Sequence, residues 1–214
     1  MKERGMIFNA EMVNAILSGR KTQTRRVLAT DQDAVKFCPE WDVNGKQIFI
    51  VLGEKDHTGM NPVITAIPCH FGQPGDRIWV RETFRVHSRA TDVATLVYRA
   101  SVRNSWTEQT HRVPVAVCNK PATPEKWTPS IHMPRWASRI TLEITDVRVE
   151  RLRDLSEEDA KSEGIIPSAG GVLPGWEYRI NFRDLWMDIY GTDNWEANPW
   201  VWVIEFKRVE GGAA

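Results

Sequence analysis

The sequence predicts an α+β fold in which bent strands close into a small barrel. Apolar residues recur at helical spacing in two segments, a third segment begins with a capping residue and acidic residues, and a glycine marks the end of each. In several other segments apolar residues alternate with polar ones, which indicates strands. One of these strands, at residues 139–149, changes the parity of its apolar positions near Thr145 and Asp146. A bulge that bends a strand in this way is typical of small closed barrels.

The first predicted helix occupies residues 10–18. Asn9 can cap its N-terminus, and Gly19 suits the left-handed position that follows a last helical turn. The basic segment G-R-K-T-Q-T-R-R, residues 19–26, therefore follows a helix C-terminus. Because the helix dipole favours cations there, part of the basic character could serve only to complement the helix.

Two later stretches are interpreted as insertions. Residues 29–68 show little periodicity, but Asn44 and Gly45 precede an apolar run at residues 47–52, which predicts a peripheral hairpin. Residues 116–136 contain four prolines and predict a long ordered loop.

A strand is predicted at residues 77–84, after a turn. Its alternation puts Glu82 on the same face as the apolar Ile78 and Val80. A carboxylate on an apolar face needs either a partner or a function. Two further strands are predicted, at residues 95–100 and 113–118.

The C-terminal part of the chain predicts two helices and a central strand. The helices occupy residues 156–164 and 176–190, and each ends at a glycine. The strand at residues 200–206 is apolar on both faces, which is typical of a central position in a sheet. We therefore predict one domain over residues 1–210, with the two insertions, and a disordered tail at residues 211–214.

The overall charge excludes a global attraction to nucleic acid or to a membrane. The chain has 28 Lys plus Arg and 28 Asp plus Glu, so any anion binding must be local. No long apolar run predicts a membrane span, and the start of the sequence lacks the apolar stretch of a signal peptide. The expected location is therefore the cytoplasm, with no membrane partner.

Three motifs carry a resemblance to a known family. They are S-G-R-K-T-Q-T-R-R after the first helix, P-G-D-R-I-W-V-R-E-T-F, and S-R-I-T-L-E-I-T-D-V-R-V-E-R-L-R-D-L-S-E-E-D-A-K-S-E-G-I. Together they resemble the ASCH domain, a PUA-like family, in the form found in phage and prophage proteins. The resemblance implies a small, mostly antiparallel PUA-like β-barrel with helices packed on its ends. It also implies binding of a nucleoside or of single-stranded RNA.

Some ASCH proteins resemble amidohydrolases of N-acetylated cytidine, and others resemble ribonucleases. In the amidohydrolase type, the motif G-x-K-x-x-T-x-R supplies a lysine and a threonine, and a later strand supplies a glutamate. By resemblance these residues are Lys21, Thr24 and Glu82. Thr24 would attack the acyl carbon, Lys21 would activate its hydroxyl, and Glu82 would shuttle the proton.

The local geometry decides whether this chemistry is possible. Lys21 and Thr24 would meet only if the backbone bends between them, since residues three apart on an extended strand face opposite sides. If the segment is straight, Lys21, Gln23 and Arg25 share one face, a pattern better suited to holding phosphates. A solvated loop without a ligand is the third interpretation. Glu82, likewise, could simply pair with a neighbouring arginine.

Several tryptophans and arginines are candidates for contact with bases and phosphates. The tryptophan-rich loop near residues 127–136 could stack on exposed bases or could plug one end of the barrel. The full set of predicted binding residues is Arg20, Arg25, Arg26, Trp79, Arg81, Trp127, Arg135 and Trp136.

No metal or other cofactor is expected. The three cysteines are widely spaced, no C-x-x-C pair exists, and the adjacent Cys69 and His70 cannot readily converge on one ion. A glycine-rich phosphate loop and a nucleophile-elbow motif are also absent from the sequence.

Overall fold

A computed structural model of the chain describes residues 1–29, 34–101, 110–167 and 176–209. Over these ranges, eleven strands form three open sheets, and four α-helices accompany them. The predicted tail, residues 211–214, lies outside the described residues. The strands are β1 (Glu3–Ile7), β2 (Gln23–Val27), β3 (Lys36–Trp41), β4 (Gln47–Leu52), β5 (Val63–Ile67), β6 (Arg77–Arg81), β7 (Phe84–Arg89), β8 (Val93–Tyr98), β9 (Thr110–Pro114), β10 (Thr141–Arg151) and β11 (Trp200–Arg208). The helices are α1 (Ala10–Leu17), α2 (Glu157–Ser162), α3 (Glu177–Tyr190) and α4 (Thr192–Glu196).

The sheets have the strand orders β1-β6-β10-β11-β2, β3-β4-β5 and β7-β8-β9. By its contacts the chain divides into two compact units. The first unit contains Met1–Gly19, Arg77–Glu143 and Lys207–Ala214, and the second contains Arg20–Asp76 and Ile144–Phe206. The assignment of a single domain over residues 1–210 stays a prediction.

The predicted helices are confirmed where their sequence signals are local. The side chain of Asn9 accepts a hydrogen bond from Met12 N at the start of α1, and Gly19 after its end has a φ of 74°. At α2, Ser156 and Asp159 form a reciprocal capping box, in which each side chain accepts from the other residue's backbone N–H. Helix α3 ends at Gly191, which has a φ of 87°.

The first unit contains β1, β6 and the start of β10, together with the β7-β8-β9 sheet. Strand β1 runs parallel to β6, and Gly5 lies opposite Trp79. A Cβ atom at Gly5 would come within 2.6 Å of the Trp79 ring, so only glycine allows this close approach. A separate core under the β7-β8-β9 sheet includes Phe84, Leu96 and Tyr98, each fully buried.

The second unit contains β2, β11 and most of β10, the predicted hairpin insertion, and helices α2–α4. Strand β11 pairs antiparallel with β2 and is buried on both faces, which confirms its predicted central position. The hairpin of β3 and β4 is also confirmed, with Gly45 in its turn at a φ of 69°. A core of Phe182 and Trp186 from α3 packs with Val201 and Val203 from β11.

The predicted closed barrel with helices on its ends is wrong. The structure is α+β, but its described strands form open sheets that mix parallel and antiparallel pairs. The strand expected at residues 77–84 is broken: β6 ends at Arg81, and the N–H of Glu82 donates to Met133 Sδ at 3.2 Å. Strand β7 then begins a separate sheet with β8. The alternating residues that predicted one strand therefore lie on two strands, β6 and β7.

Candidate functional site

The basic segment forms an extended strand. Lys21 makes an isolated antiparallel bridge with Glu163, and β2 begins two residues later. The side chains of Lys21, Gln23 and Arg25 all reach Glu163 or Asp159 at α2 and its end. The backbone is therefore straight between Lys21 and Arg25, as in the second interpretation of the sequence. The face that carries these side chains is covered by acidic groups of the protein itself and not by a ligand.

Lys21 lies in a buried ion pair. Its Nζ donates to Glu163 Oε2 at 2.7 Å and to the Glu163 carbonyl at 2.9 Å, and its side chain is 1% exposed. Burial lowers the pKa of the Lys21 ammonium below its usual value, although the Glu163 carboxylate opposes this shift. A lysine held in this way stabilises the attachment of α2 to β2.

Arg25 connects three carboxylates in the second unit. Its guanidinium contacts Glu163 at 3.2 Å, Glu150 at 3.1 Å and Asp159 at 3.6 Å, and its side chain is fully buried. Burial acts to raise the pKa of Asp159. Hydrogen bonds from Ser156 and from the side chain of Gln23, together with the charge of Arg25, outweigh this effect and lower the pKa to about 2. The network is therefore charged and mutually neutralising at neutral pH.

The remaining residues of the basic segment face elsewhere. Thr24 is buried and lies opposite Ile204 of β11, and strand alternation puts it on the other face of β2 from Gln23 and Arg25. Arg20 is exposed and donates to the carbonyl of Gly164 at 2.9 Å. Arg26 is half-buried, on the same face as Thr24.

Glu82 lies in the first unit, in a buried pair with Arg139. Arg139 Nε and Nη2 donate to the two carboxylate oxygens at 2.9 Å each, which is the bidentate geometry of strong Arg–carboxylate pairs. Arg139 Nη2 also donates to Ser101 Oγ at 2.9 Å, and the guanidinium lies 4.0 Å from the centre of the Tyr98 ring. Burial raises the pKa of Glu82 above its usual value, although Arg139 acts in the opposite direction.

Arg139 also lines a cavity of about 550 Å³ in the first unit. This volume is within the range of small-molecule sites. Burial, assisted by the charge of Arg139, lowers the pKa of His111, so its imidazole is neutral near neutral pH. Polar and charged side chains predominate in the cavity wall, among them Ser101, His111, Arg139 and Arg208.

The predicted aromatic and basic binding residues of the first unit have internal contacts. Arg81 donates to the carbonyls of Ser130 and Ile131 and lies 5.5 Å from the Trp79 ring centre. Arg135 pairs with Glu3 at 2.9 Å. These arginines hold the ordered loop against β6 and β1.

The two loop tryptophans differ in their surroundings. Trp136 packs against the core cluster and meets Phe84 edge to face, with ring centres 6.3 Å apart. Trp127 is half-buried, and the Arg85 guanidinium lies 4.6 Å from its ring centre. Trp136 is therefore a core residue, whereas one face of Trp127 is used for a cation–π contact.

Sequence reasoning missed the residues that build the cavity. Arg139 occurs inside one of the three motifs, but its position in the sequence gives no indication that it pairs with Glu82. The same is true of Glu163, which lies outside the cavity and pairs with Lys21. Ser101, His111 and Arg208 lie in segments without a motif. These residues meet only through contacts between segments that are far apart in the sequence, and the spacing of apolar residues does not predict such contacts.

Among the described residues, no group of three or more histidine, cysteine and acidic side chains could hold a metal ion. In the same part of the chain, no helix has the length and apolar character needed to cross a membrane. No family model, curated protein or solved structure matches the chain. The resemblance to the ASCH domain therefore rests on the sequence motifs alone.

Proposed function

We propose that the protein binds a nucleoside, either free or as one unit of single-stranded RNA, in the cavity of the first unit. The observation that carries this proposal is the wall of that cavity, where Arg139 joins the buried Glu82 to Ser101 beside His111. Such a wall offers donors and acceptors at fixed positions, and these are what recognise the edge of an unpaired base. The ASCH-like motifs support the same class of ligand.

Two side chains of this wall offer hydrogen-bond donors to a ligand. Ser101 Oγ accepts a hydrogen bond from Arg139, so its own proton remains available to be donated. A hydroxyl that accepts from a guanidinium is a stronger donor than an isolated one. His111, as a neutral imidazole, supplies one donor and one acceptor. A carbonyl and an exocyclic amine on one base edge would match this set.

A second candidate function is hydrolysis of an N-acyl group on a base such as N-acetylated cytidine. It is favoured by the burial of Glu82, which raises the pKa of this carboxyl group above its usual value and so makes proton transfer to a leaving amine easier. In the proposed reaction water, and not the Thr24 hydroxyl, attacks the acyl carbon and acetate is released, because Thr24 lies on the opposite face of β2 from Lys21. The base nitrogen leaves with a proton from Glu82, which the proton released by the attacking water then restores.

Calorimetric titration with cytidine tests the binding proposal. We expect Ser101→Ala to weaken binding about tenfold, which is the size of one lost hydrogen bond in a buried site. Arg112→Ala is the matched control, since Arg112 is exposed on β9 next to His111 and is not one of the residues that line the cavity. If the wild-type protein binds neither cytidine nor a short oligoribonucleotide, the proposal is wrong.

Mass spectrometry of N-acetylated cytidine and of RNA after incubation tests the chemistry. Hydrolysis predicts cytidine and acetate as the two products. If the protein binds cytidine but leaves N-acetylated cytidine intact, the binding proposal stands and the hydrolase proposal is wrong. Shortened RNA would instead indicate a ribonuclease.

A further inference from the structure

The charges around the cavity do not cancel completely. Two of its lining residues, Arg139 and Arg208, are cationic. Glu82 neutralises Arg139 through two hydrogen bonds of 2.9 Å, and burial keeps the His111 imidazole in its neutral form by lowering its pKa. Among the lining residues, this leaves one positive charge, on the exposed Arg208.

We propose that the cavity selects a ligand with a single negative charge, in which Arg208 holds the phosphodiester of a nucleotide whose base lies against Ser101 and His111. This inference rests on the proposed function and names its substrate class as a nucleotide unit of RNA. A phosphodiester carries one negative charge, which matches the one positive charge of the wall. A neutral nucleoside has no negative charge that could pair with the guanidinium of Arg208.

The position of Arg208 supports this assignment. It is the last residue of β11 and is exposed, so it lies in the cavity wall without being desolvated before the ligand arrives. Ser101, by contrast, is 1% exposed, and its hydroxyl is held by Arg139. Recognition would then be divided between two residues. Ser101, which is fixed, would contact the base, and Arg208, which is long and flexible, would contact the phosphate.

The test compares three probes by calorimetric titration of the full chain: cytidine, the dinucleotide cytidylyl-cytidine, and inorganic phosphate. We expect the dinucleotide to bind at least tenfold more tightly than cytidine at 50 mM salt. Because one phosphate is contacted, the logarithm of its binding constant should fall with the logarithm of salt concentration with a slope of about −0.7. Cytidine binding should not change with salt.

Variants of exposed arginines separate the cavity from the general surface. Arg208→Ala should reduce dinucleotide binding to the level of cytidine and bring the salt slope near zero, and Arg208→Glu should make cytidine the preferred ligand. Arg112→Ala removes the same charge from an exposed position on β9 that does not line the cavity, and it should change neither value.

Three results would overturn the inference. The first is equal binding of cytidine and the dinucleotide by the wild-type protein, which would leave the nucleoside-binding function intact. The second is an equal loss in Arg208→Ala and Arg112→Ala. The third is inorganic phosphate binding as tightly as the dinucleotide, which would indicate a simple anion site. Failure of all three probes to bind would contradict the proposed function as well.

Discussion

Lys21 shows, at the scale of a single residue, how a motif lysine can be structural. Its ammonium is buried against Glu163, and the same carboxylate also receives Arg25. Removal of one partner leaves a buried charge with fewer compensating groups, which is costly. A basic cluster in a sequence can thus stabilise a helix contact instead of holding a ligand.

Replacement of Lys21 by methionine should lower the free energy of unfolding by about 3 kcal/mol, the lower end of the range for a broken buried pair because Arg25 still contacts Glu163. Urea unfolding with an unchanged slope would measure this loss. Arg20→Met is the control, and as an exposed residue it should cost less than about 1 kcal/mol. Equal effects of the two variants would contradict the structural role of Lys21.

Asp159 predicts a specific dependence of stability on pH. Its folded-state pKa of about 2 is below the usual 3.8, so its stabilising contribution is present above about pH 4 and is lost as the pH falls through about 2. Asp159→Asn should reduce stability at pH 7 by about 1–2 kcal/mol, a value discounted because the carboxylate is partly exposed. The difference from wild type should vanish below pH 2. A constant difference from pH 7 to pH 2 would show that the charge of Asp159 is not involved.

At the residue scale, the sequence suggested Lys21, Thr24 and Glu82 but not their partners. Glu82 was recognised as unusual because it lies on an apolar face, and the structure supplies the reason in Arg139. No local pattern could identify Arg139, since the two residues are 57 positions apart. The roles of the three residues in catalysis stay predictions.

Among the elements, those with local signals were predicted and those defined by distant pairing were not. Helix α2 follows from its capping box, and the β3-β4 hairpin from its Asn-Gly turn. Strand β1, with its glycine in the middle, gave no such signal, because its position depends on parallel pairing with β6. The barrel prediction failed for the same reason: a bend in one strand does not determine which strands its neighbours join.

The close contact of β1 with β6 gives a prediction at this scale. Gly5→Ala should destabilise the protein by about 1–3 kcal/mol, since its new methyl group would meet the Trp79 ring. The destabilisation caused by Gly5→Ala should be smaller in a Trp79→Leu variant, because the ring atoms that the methyl group would meet are absent there. Thermal unfolding of the four proteins gives the coupling between the two positions. Strictly additive effects would contradict the parallel register of Gly5 with Trp79.

For the whole molecule, the equal numbers of acidic and basic residues determine how a charged ligand approaches. With 28 of each, no long-range field accelerates encounter, and Lys21 and Arg25 of the basic segment are paired with Glu150, Asp159 and Glu163. The association rate with a short oligoribonucleotide should therefore change by less than about threefold between 50 and 200 mM salt. Stopped-flow fluorescence would measure it. A tenfold fall would indicate a broad basic surface instead of one cavity with one net charge.

The central claim is that a nucleotide binds in the cavity of the first unit, and a crystal structure of the protein grown with cytidylyl-cytidine tests it most directly. We predict electron density for a base beside Ser101 and His111, with a phosphate within hydrogen-bond distance of Arg208. Density for the dinucleotide on the Lys21 face of β2, or on Trp127 with the cavity empty, would contradict it.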